Sequence, residues 1–145
     1  MKKLVSSALV CLLVLAGCGR GDQPPRVTIN GHTVMVELAQ TPEQQALGLG
    51  WRESLAADHG MLFIFPTLGT PSFWMKDMRF PIDIIWIQDN VIVEVEPAVP
   101  LPATDELLRY IPAEPVNYVL EVNAGWAASH GVRKGDRVRI DLGQL

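Results

Sequence analysis

Short apolar and β-branched runs, each closed by a turn-forming pair or a proline, pattern the chain from residue 27 onward. Val27-Thr28-Ile29 and Thr33 to Leu38 flank Asn30-Gly31, a pair that tolerates positive φ and predicts a two-residue type I′ hairpin turn. Met61 to Phe65 is a compact apolar run closed by Pro66, Ile82 to Ile87 is another, and Asp89-Asn90 turns the chain into the β-branched segment Val91 to Val95. Tyr118 to Asn123 reads as a further strand, and Arg137 to Leu142 as the last, after a Lys134-Gly135-Asp136 turn. Two short helices interrupt the strands. The first opens at Thr41-Pro42-Glu43-Gln44, where a cap hydroxyl, a proline at the first helical position and a glutamine able to reach back meet, and Gly48 and Gly50 end it. The second runs from Ala124 to His130 and stops at Gly131. Between Pro97 and Pro115, five prolines in nineteen residues predict an extended flap with one helical turn opening at Thr104. With no βαβ rhythm and no internal repeat, the pattern predicts one mainly β domain over 27–145, a compact antiparallel β-sandwich or partly closed barrel with two peripheral helices.

The first 26 residues follow a different logic. Lys2 and Lys3 precede the thirteen-residue run Leu4 to Ala16, which is too short for a spanning helix of about 20 residues and suits a cleaved signal over 1–17. Leu15-Ala16-Gly17-Cys18 resembles the bacterial lipobox, in which the signal is cut before a cysteine that carries the acyl chains. Such an anchor exceeds the two-signal requirement for stable membrane attachment, since each buried methylene contributes about 0.8 kcal/mol. Cys18 is thus the expected lipidation site and 18–26 a flexible tether, whose eight residues after Cys18 reach roughly 26 Å when extended. The expected location is the cell envelope, facing the periplasm or exterior; Gly19 in place of aspartate resembles the outer-membrane sorting pattern of two-membrane bacteria.

Composition narrows the partners. The full chain carries 12 basic and 16 acidic residues, and removal of 1–17 takes away two lysines and no acid, leaving net −6. No basic stripe exists for nucleic acid, and anionic lipid is not an electrostatic target. Cys11 leaves with the signal and Cys18 is committed to lipid, so no thiol remains for a disulfide, a metal or nucleophilic catalysis. His32, His59 and His130 lack zinc-helix spacing, and no phosphate loop or nucleophile elbow is present, so neither cofactor nor metal is expected and the reading leans away from an enzyme.

Three phrases carry a family resemblance: Gly60-Met61-Leu62-Phe63-Ile64-Phe65-Pro66, Phe73-Trp74-Met75-Lys76-Asp77-Met78 and Pro81-Ile82-Asp83-Ile84-Ile85-Trp86-Ile87. With Val119 to Gly125, Gly131 and Gly135-Asp136, they resemble the domain-of-unknown-function family 192 over residues 27 to 142. The resemblance implies a small jelly-roll-like β domain, frequently secreted or lipid-anchored, and transfers no activity. Gly50-Trp51 departs from the family pattern beside Arg52.

The candidate chemistry lies in polar groups that interrupt these apolar phrases. Lys76 sits between aromatics, where its ammonium can pair with a carboxylate or an anionic ligand group. Alternation puts Asp83 on the face of Ile85 and Ile87, and Glu121 with Val119 and Asn123. Buried acids need partners, so Lys76, Asp83, Glu121 and Asn123 are expected either to converge as a polar cluster or to satisfy turn and flap backbone. Trp74 is the candidate stacking platform and Trp86 a core residue. The expected function is binding of a saccharide or cell-wall fragment beneath the flap, through Trp74, Lys76, Asp83, Glu121 and Asn123. Two alternatives stand beside it: a hydrolase with Asp83 and Glu121 as acid and base, and an envelope assembly partner that uses the Trp74 loop.

Overall fold

A computed structural model describes residues 23–104 and 107–143 of the 145. The expected signal, the lipobox and Cys18 lie outside these residues. Seven strands, β1 (Arg26–Ile29), β2 (His32–Ala39), β3 (His59–Gly69), β4 (Ile82–Gln88), β5 (Val91–Val99), β6 (Val116–Asn123) and β7 (Val138–Asp141), form one sheet in the order β5-β4-β6-β3-β2-β1-β7. The sheet curls until its two edges meet at one end. There Ile92 N donates to Asp136 O at 3.0 Å, Gly135 N to Ile92 O at 2.8 Å, and Val138 N to Asn90 O at 2.8 Å. The result is a half-barrel, within the sandwich-or-open-barrel class that the strand pattern predicts.

Local chemistry sets the elements. Asn30 and Gly31 both take positive φ, 51° and 82°, which gives the I′ hairpin between β1 and β2. Helix α1 (Pro42–Leu47) has the capping box intact: Gln44 N donates to Thr41 Oγ1 while Thr41 N donates to Gln44 Oε1. The second helix, α2 (Trp126–Ser129), is shorter than its predicted span and ends at Gly131, whose φ is 62°.

Four expectations differ. One strand pair, β2 with β3, is parallel rather than antiparallel, because the chain crosses over through α1 and the loop to residue 58 before re-entering the sheet. Strand β3 continues through Pro66 to Gly69; the ladder with β6 shifts register between Ile64 and Gly69, so the missing N–H of Pro66 breaks no regular rung. Arg26, expected in the tether, opens β1 and pairs with Asp141 at 2.8 Å. Thr104 lies in a bend with no helix among the described residues of the flap, and positions 105–106 lie outside them. The flap is instead tied down at Phe73 and Tyr110, which exchange two backbone hydrogen bonds of 2.9 Å.

Both faces of the sheet are covered, which explains why β4 is apolar almost without interruption. The inside of the curl buries Val27, Leu62, Ile85, Ile92, Leu120 and Val138, capped by Trp126 of α2. The outer face buries Met61, Phe63, Ile84, Trp86 and Val119 beneath Leu49, Met75, Phe73 and Tyr110. The long connections are thus the second wall of a second core, and the candidate site forms in that wall.

Candidate functional site

Glu121 is the polar residue of β6 that the outer core surrounds. It lies opposite Met61 of β3 on one side and Ile84 of β4 on the other, so its side chain leaves the sheet between two apolar neighbours. Only 5% of it is exposed. No hydrogen bond or ion pair reaches its carboxyl from the described residues, and burial in these apolar surroundings pushes its pKa up to about 8. At neutral pH it is predominantly a carboxylic acid.

The carboxyl lines a cavity of about 230 Å³ between α1, β3 and the 71–78 loop. Phe63 and Phe65 of β3, Phe73 and Trp74 of the loop, and Leu47 and Leu49 from the end of α1 make it largely aromatic and apolar. Packing holds these walls: Phe63 and Phe73 meet edge to face with centroids 4.8 Å apart, and Phe73 meets Trp86 in the same way at 5.3 Å. Gln45 fixes α1 to the sheet by donating to Ala39 O at 3.3 Å and Ile64 O at 3.0 Å. The far wall is set by a close approach at Gly50, where a Cβ would come 2.9 Å from Leu47 O and also contact Asp77, while Trp51 N donates to Asp77 O at 2.8 Å. The Gly50-Trp51 departure from the family pattern therefore sits at the seam between α1 and the 71–78 loop.

The rim is basic. Lys76 lines the cavity, is exposed, and makes no ion pair among the described residues. Arg109, from the flap, lies 4.2 Å from the Trp74 ring centroid and donates to Ser72 Oγ at 3.4 Å. Trp74 is thus partly exposed, as the platform reading expects, yet the guanidinium already covers one of its faces.

Of the five residues expected at the site, the structure brings together Trp74, Lys76 and Glu121. Asp83 is elsewhere. It opposes Val122 in the β4–β6 ladder, one step from the Ile84–Glu121 pair, and so projects to the inner face. Its carboxylate accepts from Ala98 N at 2.8 Å, Gly125 N at 3.0 Å and Ala127 N at 2.8 Å, which ties the end of β5 and the start of α2 to the sheet. Asn123 donates to Leu55 O at 3.0 Å and Ala56 O at 3.2 Å and anchors the loop before β3. These two satisfy backbone, and an acid and base pair of Asp83 with Glu121 does not form because a sheet separates them. The cavity also lies beside α1 rather than beneath the flap, whose own hollow is lined by Met75, Leu101, Leu108 and Tyr110.

Phe63, Phe65, Phe73 and Leu47 were not expected at the site. The available signal was the alternation of Met61, Phe63 and Phe65, which shares the Glu121 face once β3 is paired with β6. Among the described residues, no group of three or more His, Cys, Asp or Glu side chains is placed to hold a metal ion.

The model of the family DUF192, described as Uncharacterized ACR, matches residues 25–140. Among crystal structures, the chain is similar to a Sinorhizobium meliloti 1021 protein described as a proposed transcription regulator, with 36% identity, a TM-score of 0.72, and coverage of 82% of this chain and 95% of that one. It is also similar to a Novosphingobium aromaticivorans DSM 12444 protein of unknown function, with 34% identity, a TM-score of 0.70, and coverage of 79% and 83%. No curated protein matches.

Proposed function

The chain belongs to the DUF192 family, and from that premise we propose that it is a lipid-anchored envelope protein whose β domain binds a small ligand in the Glu121 cavity. The observation that carries the binding reading is Glu121, a residue only 5% exposed, whose carboxyl has no partner among the described residues and lines an aromatic cavity. A ligand that hydrogen-bonds this carboxyl gains about 0.5–1.5 kcal/mol, and about 1.5–3 kcal/mol where one of the two groups is charged. The anchor rests on the lipobox and Cys18.

The ligand is smaller and less hydroxylated than a cell-wall saccharide. A cavity of about 230 Å³ lies below the usual range for drug-sized ligands, and it offers one buried acid and one lysine amid aromatic rings. Glu121 is the one carboxyl among the lining residues, so the paired-acid chemistry of the hydrolase alternative has no second carboxyl there. A regulator role like that described for the Sinorhizobium relative has no basic stripe to support direct DNA contact.

Thermal unfolding of the full chain in a non-ionic detergent, against a panel of small metabolites, tests the reading. A ligand at about 100 times its Kd adds roughly 2.7 kcal/mol, a midpoint rise on the order of 10 °C. The shift should vanish in Glu121→Gln. A ligand that stabilises both proteins equally would place binding outside this cavity.

A further inference from the structure

Building on the cavity reading, we infer that the ligand is a small zwitterion, with an organic ammonium group held among Phe63, Phe65, Phe73 and Trp74 against Glu121 and an anionic group held at the rim by Lys76. Three observations point the same way. Glu121, the buried polar residue of the lining, forms no ion pair with any cation of the described residues. The cavity walls are aromatic rings, whose negative faces attract ammonium groups, and Trp74 already holds the Arg109 guanidinium in this manner at 4.2 Å. At the exposed rim stands the ammonium of Lys76, which makes no ion pair among the described residues, with Arg109 against Trp74. A lone cation would meet the basic rim unfavourably and a lone anion would leave the buried acid unanswered, whereas a zwitterion satisfies both ends.

Binding of this kind moves a proton. Met61 of β3 and Ile84 of β4 flank Glu121 in the sheet, and Phe63 of β3, Gln45 and Leu49 from α1 and its end, and Lys76 from the loop line the same cavity. Of these only Lys76 is ionisable. Entry of a fixed positive charge therefore converts the Glu121 carboxylic acid to carboxylate, and its proton passes to the buffer. With the free carboxyl titrating at about 8, release at pH 7 is about nine-tenths of a proton.

Calorimetry on the full chain in non-ionic detergent, in two buffers of different ionisation enthalpy, tests this with defined probes. Glycine betaine and 4-aminobutanoate carry the two charges, and 3,3-dimethylbutanoate is the betaine shape without the ammonium. Betaine or aminobutanoate should bind at least tenfold more tightly than dimethylbutanoate and release close to one proton. Glu121→Gln should abolish the proton release and weaken the zwitterions at least tenfold, with little effect on dimethylbutanoate. Lys76→Ala should weaken all the probes alike. If dimethylbutanoate binds as tightly as betaine, without proton release, and Glu121→Gln weakens both, the cavity binds ligands but the ammonium assignment is wrong. If none of the three binds, the zwitterion is overturned, while the metabolite panel still judges the cavity. If the panel also gives no shift that depends on Glu121, both fall.

Discussion

Glu121 opposes Ile84 in the β4–β6 ladder, and Asp83, one residue before Ile84, opposes Val122. That single step sends two buried carboxyl groups to opposite faces of one sheet. On the inner face Asp83 meets three backbone N–H groups and serves as a structural tie. On the outer face Glu121 meets aromatic rings and an open cavity. Similar residues in neighbouring strands thus acquire different tasks through strand parity alone.

Glu121 should make the unliganded protein less stable as pH rises. Its folded pKa of about 8 lies above the ordinary glutamate value of 4.5, so the folded state holds the proton more tightly than the unfolded state throughout that interval. The stabilisation is complete below about pH 4.5 and is lost as pH rises through 8, with at most a tenfold change in the folding constant per pH unit. Comparing Glu121→Gln with the wild type across pH 5 to 9 isolates this group, and the variant should become relatively more stable toward alkaline pH. A constant difference across the range would contradict the assignment.

Asp83→Asn should cost about 2–4 kcal/mol, because an amide accepts less strongly than a carboxylate and turns a donor toward N–H groups. The midpoint should fall on the order of 10 °C in thermal unfolding. Ligand-induced shifts at temperatures where the variant is folded should remain. Loss of binding with unchanged stability would return Asp83 to the site.

Gly60 is fixed by its neighbour across the sheet. A Cβ there would lie 2.5 Å from the Glu121 carbonyl oxygen and 3.1 Å from Val34 Cγ1. Gly60→Ala should therefore force β3 from β6 and destabilise by about 3 kcal/mol or more, measured by denaturant unfolding. A change within about 0.5 kcal/mol would show that this approach is not close.

Cys18→Ala should abolish incorporation of labelled fatty acid and release the protein from the membrane fraction. Undiminished labelling would exclude the lipobox at Leu15-Ala16-Gly17-Cys18.

Local chemistry was legible in the sequence where it depends on near neighbours. Asn30-Gly31 makes its turn and Thr41 with Gln44 makes its cap through contacts within four residues. The face of each acid along its own strand was equally plain from alternation. What no local pattern gives is the pairing between strands. Whether Asp83 and Glu121 share a face depends on the β4–β6 register, and the donors to Asp83 come from residues 98, 125 and 127. The parallel β2–β3 pair was hidden for a related reason, since α1 has six residues and no buried side chain and so leaves no amphipathic crossover signal. The cavity draws its walls from α1, β3, β6 and the 71–78 loop, which only the fold brings together.

The most direct test of the cavity reading is the titration of the Glu121 carboxyl itself, followed by its side-chain carbon-13 shift in selectively labelled full-length protein. A midpoint near 8 is expected for the free protein, because Glu121 is buried in apolar surroundings with no partner among the described residues. A midpoint between 4 and 5, the range of a solvated glutamate, would mean that water or a protein donor already satisfies it and that the cavity has no buried acid to offer a ligand.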